Sequence, residues 1–240
     1  MRLNKYLARC GIASRREADR LIQAATTTVN GVIMMDPAYD VQDGDVVEFD
    51  NQVVRPVTQE SFYMLNKPKG VLSTTSDPFG RKSVVDLLPV RERLFPVGRL
   101  DKDTTGLLIL TNSGEIANRL MHPRYRVARI YEAVIDQRLS DRQIQRMRRK
   151  IYLGENEFGR AEVVKQTTVK KRTTVILRLY EGKNREIRRM FFHLDIHLFS
   201  LVRIQFGPLK LDRALKPGTW RKLNPEEIRA LKKLTAGETG

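Results

Sequence analysis

Four consecutive apolar residues, Leu107-Leu108-Ile109-Leu110, follow directly on the turn-forming stretch Gly98-Arg99-Leu100-Asp101-Lys102-Asp103-Thr104-Thr105-Gly106. A short run with no polar residue is the pattern of a buried strand rather than of one with a wet face. The turn that feeds it is therefore held rigidly on one side and open on the other. Asp101 lies in that turn, so its carboxylate is mounted on a stiff element, an arrangement suited to chemistry. Alone, an Asp near a turn is more often a turn former or a helix cap. The charge of the remaining chain moves the reading towards function.

The 240 residues carry 44 Lys and Arg against 28 Asp and Glu, a formal net charge of +16. Solubility does not require so one-sided an excess, which points to a polyanionic partner, most often nucleic acid. A membrane surface is also anionic. However, no apolar run approaches spanning length, and the N-terminus opens on a basic amphipathic pattern rather than a signal peptide. The single Cys10 excludes an internal disulfide and a Cys-based zinc site, and it fits a reducing compartment, the cytoplasm. The charge is also unevenly spread. Residues 1–58 hold seven basic and eight acidic side chains, so the entire excess falls in 59–240.

Within the first segment, Leu3, Leu7 and Cys10 follow helical spacing up to Gly11. Ser14-Arg15-Arg16-Glu17 reads as a capping box opening a second helix with Ala18, Leu21, Ile22 and Ala25 on its apolar face. Arg9, Arg15, Arg16 and Arg20 remain for the outside. Asn30-Gly31 and Asp43-Gly44 then mark tight turns between short strands, with a linker expected over Gln52 to Ser61.

Beyond the linker, strands alternate with short helices. Phe62 to Leu65 reads as a strand. Asn112-Ser113-Gly114-Glu115 and Ser140-Asp141-Arg142-Gln143 read as capping boxes, and the second of these helices turns Ile144, Met147 and Ile151 inward. Its polar side, Arg142, Arg146, Arg148, Arg149 and Lys150, is nearly all of one sign, as a phosphate backbone would favour. Val175, Leu177 and Leu179 alternate as a strand. In the helix that follows, Lys183, Arg185, Arg188 and Arg189 crowd the positive end of the dipole, where each cation costs a few tenths to about 1 kcal/mol. Such crowding is explained by an anion held there, either phosphate or a carboxylate from elsewhere in the fold. Asn224-Pro225-Glu226-Glu227 starts a terminal helix.

The segment RLNKYLARCGIASRREADRLI, with VNG and DGDVV after it, resembles the alpha-L RNA-binding motif, in which two helices present basic side chains to structured RNA. Ala25 stands where that motif often has Gly. In order, NKPKGVLSTTSDPFGRKSVVDLLP, FPVGRLDKDTTGLLILTNSGE, RIYEAVI, EGKNREIRRMF and LVRIQFGPLKL resemble pseudouridine synthases of the RsuA/RluB type. The likeness spans almost the whole chain, and the Gly-Arg-Leu-Asp block is its most specific part. It implies an α+β fold: an alpha-L RNA-binding module over residues 1–58 and a catalytic domain over 61–240, built on a mixed, largely antiparallel sheet with flanking helices.

The resemblance further implies isomerisation of uridine to pseudouridine in ribosomal RNA, free or within an assembly intermediate, by a monomer that needs no metal and no cofactor. Carried over residue by residue, Asp101 would be the catalytic carboxylate, and Tyr131 would stack on the target base and assist later proton removal. Arg188 would pair with Asp101 and orient it. Leu201 would supply an apolar pocket wall, while Arg99 and Lys102 would meet RNA phosphates or displace the target nucleotide. Arg9, Arg15, Arg16, Arg20, Lys183, Arg185 and Arg189 would hold RNA. Arg129 stands where the family usually has Lys, two residues before Tyr131; both are cations, but the Arg group is planar and bulkier.

Asp101 and Asp103, two apart, also fit a Mg²⁺-dependent nuclease, but no further carboxylate motif matches. His193 and His197, four apart, fit a metal pair, but the only third ligand beside them, Asp195, faces elsewhere at that spacing. The serious rival is a non-catalytic RNA-binding or ribosome-assembly protein on the same scaffold.

Overall fold

A computed structural model describes residues 1–90 and 92–235. The chain forms two units, one of Met1–Ser61 with the short segments Val90–Arg93 and Asn112–Gly114, the other containing most of the rest.

In the first unit, α1 (Leu3–Arg9) and α2 (Arg15–Gln23) bury Leu3, Leu7, Ala18 and Ile22. These share a core with an antiparallel sheet of β1 (Thr27–Val29), β2 (Val32–Ile33), β3 (Val47–Phe49) and β4 (Gln52–Val53), ordered β2-β1-β3-β4. Gln52 and Val53, expected in the linker, are thus paired to Phe49 and Glu48. Ser14 caps α2 by accepting the Glu17 N–H at 3.1 Å. Glu17, expected to reach back, instead meets Arg20 at 3.3 Å. Arg9, Arg15, Arg16 and Arg20 are all exposed.

Ala25 has φ +59°, a left-handed conformation that only glycine adopts without steric cost. Ala25→Gly should therefore stabilise the protein by about 0.5–1 kcal/mol, after allowing for glycine's extra freedom in the unfolded chain. A higher midpoint in urea denaturation of the full chain would show it.

The second unit is organised by one large sheet. Its strands are β5 (Phe62–Lys67), β6 (Phe95–Pro96), β7 (Thr105–Thr111), β8 (Arg129–Ile135), β11 (Glu162–Val169), β12 (Arg172–Leu179), β13 (Leu198–Phe206), β14 (Leu209–Lys210) and β15 (Trp220–Lys222). The order is β11-β12-β8-β13-β7-β5-β15, with β14 beside β13 and β6 beside β7. The β13–β7 pairing is parallel and the other pairings are antiparallel. A separate hairpin joins β9 (Ile151–Gly154) to β10 (Glu157–Gly159).

Residues Gly106 to Thr111 of β7 are buried throughout, which accounts for their lack of alternation. Helices cover the sheet through two cores. One packs Ala133, Val175, Leu177 and Leu201 with Met147 of α4 (Asp141–Arg149) and Met190 and Phe191 of α5 (Glu186–Phe192). The other packs Met64, Leu107, Ile109 and Phe206 with Leu120 of α3 (Gly114–Met121) and Leu231 of α6 (Pro225–Thr235).

Two of the expected caps form in full. Ser140 accepts the Gln143 N–H while the Gln143 side chain bonds back to the Ser140 N–H. Asn224 and Glu227 exchange the same pair of bonds at α6. The Asn112 carboxamide, expected as a cap, instead accepts from Ser61 N–H and donates to the Gln59 carbonyl. Ile151 is buried as read, but on β9 rather than in α4.

Gly106 decides where the Asp101 turn sits. It has φ +101°, and a Cβ there would lie 2.4 Å from the Arg203 carbonyl oxygen. Only a bare Cα lets β7 begin its parallel pairing with β13 at that point. The turn of residues 101–104 is thereby delivered beside the middle of β13, next to Val202 and Arg203.

Candidate active site

The turn that carries Asp101 is fixed from several directions. Thr104 N–H donates to the Asp101 carbonyl at 3.0 Å, and Gly70 N–H to the Lys102 carbonyl at 2.8 Å. Lys67, at the end of β5, is fully buried beneath it. Its Nζ donates to the carbonyls of Pro68 (3.0 Å), Lys102 (3.3 Å) and Thr104 (3.0 Å). Burial pushes the Lys67 ammonium down from 10.5 to about 8, an effect the nearby Asp101 and Asp103 carboxylates partly oppose.

The Asp101 carboxylate lines an open cleft that it shares with Leu100, Thr104 and Tyr131. Arg188, on α5, reaches across so that its Nε lies 3.7 Å from an Asp101 oxygen. That is ion-pair range but longer than a hydrogen bond. The same guanidinium donates to Thr104 Oγ1 at 3.2 Å, while its buried Nε has no hydrogen-bond partner among the described residues. Arg188 therefore spans both ends of the turn with one donor still free and facing the carboxylate.

Tyr131 on β8 and Leu201 on β13 line the same cleft, as do Arg99, Lys183 and Arg185. Tyr131 is half-buried against the core, and Leu201 is buried. Arg129, at the start of β8, donates to the Tyr180 carbonyl at 2.9 Å. Glu181 and Glu186 join Asp101 as acidic groups in the lining, beside the cations Arg99, Lys183, Arg185 and Arg188. Lys183 bridges outward: its Nζ bonds the Phe158 carbonyl and meets Glu181 at 3.3 Å.

Two of the expected residues lie elsewhere. Lys102 is exposed and stands outside the cleft wall; what it contributes is its backbone carbonyl, shared by Gly70 and Lys67. Arg189, expected to face RNA, is turned inward to the Leu153 (2.6 Å), Gly154 (3.2 Å) and Asn184 (3.2 Å) carbonyls and to Glu157 (2.6 Å). It ties α5 to the β9–β10 hairpin. His193 and His197 do not share a helix: α5 ends at Phe192, His193 rings against Tyr152, and His197 rings against Phe199.

Sequence reasoning missed three buried charges here. Besides Lys67, Arg203 is 2% exposed, donates to the Leu107 carbonyl at 2.7 Å, and lies over the Phe206 ring. Glu186 is buried, and burial raises its carboxyl above the usual range although the Lys183 N–H donates to it at 3.1 Å. Glu186 offered a signal, as an acid amid four cations at the first position of a helix. Lys67 and Arg203 offered none beyond a charge within a largely apolar strand.

Chemically, the cleft combines one carboxylate at the mouth of a rigid turn, an aromatic ring, an apolar wall and a basic rim. Residues 61–193 match the family described as RNA pseudouridylate synthase, and residues 1–47 match the S4 domain. Ribosomal large subunit pseudouridine synthase B of Bacillus subtilis (strain 168) is 37% identical over 236 residues, covering 97% of this chain and 96% of that protein. Dual-specificity RNA pseudouridine synthase RluF of Escherichia coli O6:H1 is 36% identical over 238 residues, covering 98% and 79%. A crystal structure of a pseudouridylate synthase aligns with a TM-score of 0.68 at 26% identity, covering 96% of this chain and 99% of its own.

Proposed function

The chain belongs to the RNA pseudouridylate synthase family, with an S4 domain at its N-terminus, and from that premise we propose that it converts uridine to pseudouridine in ribosomal RNA through Asp101. The observation that carries the reading is the Asp101 carboxylate facing a cleft, 3.7 Å from Arg188, with Tyr131 and Leu201 beside it.

The reaction breaks the bond between the uracil N1 and the ribose C1′, then joins C1′ to C5, which gives up its proton while N1 gains one. No atom is gained or lost overall. Asp101 starts the cleavage, on the sugar, on the base or by taking a proton. Tyr131 stacks on the uracil and assists removal of the C5 proton. Leu201 closes the apolar side, so that the detached base stays in place to be rejoined through its other edge. Arg188 orients the carboxylate, and its free Nε–H gives the pair room to tighten when substrate excludes water.

A target uridine must leave its stack to enter the cleft, costing a few kcal/mol, and backbone contacts to a strongly basic protein offset that. Arg99, Lys183 and Arg185 serve at the cleft rim, and Arg9, Arg15, Arg16 and Arg20 on the S4 domain. Large-subunit RNA is the substrate by analogy with the relative in B. subtilis, and the enzyme acts in the cytoplasm as a monomer. Among the described residues, no helix is long and apolar enough to cross a membrane. Mapping pseudouridines across ribosomal RNA with and without the gene tests the whole reading. An unchanged map would reject it.

Lys67 gives the activity a pH signature. Below about pH 8 its ammonium is charged and supports the Asp101 turn; as pH rises through that value the charge is lost. Turnover should therefore fall with a midpoint near 8. Stability moves the opposite way through this group. Its folded pKa lies below the unfolded value, so between about 8 and 10.5 the unfolded chain binds more protons, and the burial penalty is progressively relieved. Lys67→Met should lose the alkaline limb and slow turnover by roughly tenfold through a displaced turn. A limb that persists in that variant would belong to another group.

A further inference from the structure

Phe79 is 79% exposed, yet the loop that holds it is braced by its own hydrogen bonds. Single exposed apolar side chains are common and need no explanation by themselves. Here, however, one nearly buried carboxylate organises the whole tip. Asp77 accepts the backbone N–H groups of Phe79 and Arg81, each at 3.0 Å. It also binds the Arg81 side chain through Nε (3.1 Å) and a terminal nitrogen (2.6 Å). The Arg81 guanidinium in turn lies 5.1 Å from the centre of the Phe79 ring. The ring is therefore presented in one orientation, with a cation on one side and water on the other. None of this buries apolar surface in the core.

The neck of the loop is riveted to the Asp101 turn. Ser73 Oγ donates to the Leu100 carbonyl at 2.8 Å and accepts the Leu100 N–H at 3.1 Å. The Gly70–Lys102 bond holds the other side of Asp101. Phe79 lies six positions beyond Ser73, which limits the tip to about 20 Å from Ser73, the partner of Leu100. At about 3.4 Å per stacked nucleotide, that reach covers only a few nucleotides beyond the target. Lys69, Lys82 and Lys102, all exposed, lie on the same tied segments and suit a phosphate backbone rather than an apolar protein face.

We propose that the Asp77–Arg81 tip is an RNA-stacking element in which Phe79 receives an unpaired base of the substrate a few nucleotides from the uridine being isomerised. This rests on the reading of the chain as a ribosomal RNA pseudouridine synthase. A preformed aromatic loses little freedom on binding, so the stacking energy goes into affinity and into fixing the register of the strand. The tip thereby helps select which uridine reaches Asp101.

The test uses the full chain and protein-free ribosomal RNA from cells lacking the gene. Phe79→Ala should bind this RNA about tenfold more weakly, with a matching fall in kcat/KM, while melting like the unaltered protein. Phe79→Trp should restore affinity, and its emission should be quenched by the RNA beyond the background of Trp220. Unweakened binding by Phe79→Ala, or no quenching of Phe79→Trp, would overturn the proposal. So would a loss seen only with ribosomal particles, which would assign the tip to a protein contact. If the unaltered chain forms no pseudouridine while quenching and weakened binding are both seen, the isomerase reading fails and the stacking element stands.

Discussion

Asp101→Asn should abolish pseudouridine formation, with turnover reduced by at least about 10⁴-fold, while ribosomal RNA is bound as before. The substitution keeps the shape of the side chain and removes its charge and its capacity to attack or to take a proton. The backbone anchorage of the turn does not use that charge directly. The Asp101 carbonyl still accepts the Thr104 N–H, and Lys67 still holds the Lys102 and Thr104 carbonyls. Thermal stability should change by no more than about 0.5 kcal/mol, as for other partly exposed sites. Because the C5 hydrogen of uridine must leave, release of tritium from RNA labelled at that position measures each turnover directly. A variant retaining more than about a hundredth of the activity would remove Asp101 from the chemistry. If neither protein releases tritium from any ribosomal RNA, the non-catalytic scaffold reading takes its place.

The features legible in the sequence were those whose cause is local. The Ser140–Gln143 box, the alternation through β12 and the apolar run of β7 each follow from a few neighbouring residues, and each forms. Even the left-handed backbone at Ala25 sits at the position that the motif resemblance marked as often Gly. The Asp101–Arg188 approach has no such local cause. Those residues are 87 positions apart, and only the family resemblance joined them in advance. The sequence still contained a hint, since cations crowding a helix start call for an anion.

Destinations of the individual cations were not legible, for a physical reason. Whether an Arg meets solvent, RNA or carbonyl groups depends on which backbone oxygens tertiary folding brings to it. Arg189 is turned inward by the β9–β10 hairpin, and Lys67 by carbonyls converging from two separate segments. Lys102 has the converse fate: its side chain stays outside while its backbone serves the site. A charge pattern in sequence supplies the number of cations, and the fold distributes them.

Arg188→Ala is the second substitution expected to be severe, lowering kcat by about 10²- to 10³-fold with KM changed only a few-fold. The guanidinium touches Thr104 at 3.2 Å and approaches Asp101 to 3.7 Å, so its loss frees both ends of the turn on the cleft side. The anchorage through Lys67 survives, which is why the chain should still fold and still hold RNA. Arg188→Lys should recover only part of the rate, because one ammonium cannot reproduce a planar fork that faces a hydroxyl and a carboxylate together. Added guanidinium ion at millimolar concentration should raise kcat of the Ala variant and leave that of the unaltered enzyme unchanged. The split between kcat and KM is the deciding readout. A phosphate-binding Arg on the rim would raise KM and steepen no chemical step, whereas a group that aims Asp101 acts on kcat. Normal kcat with a raised KM in Arg188→Ala would therefore move Arg188 from the carboxylate to the RNA backbone.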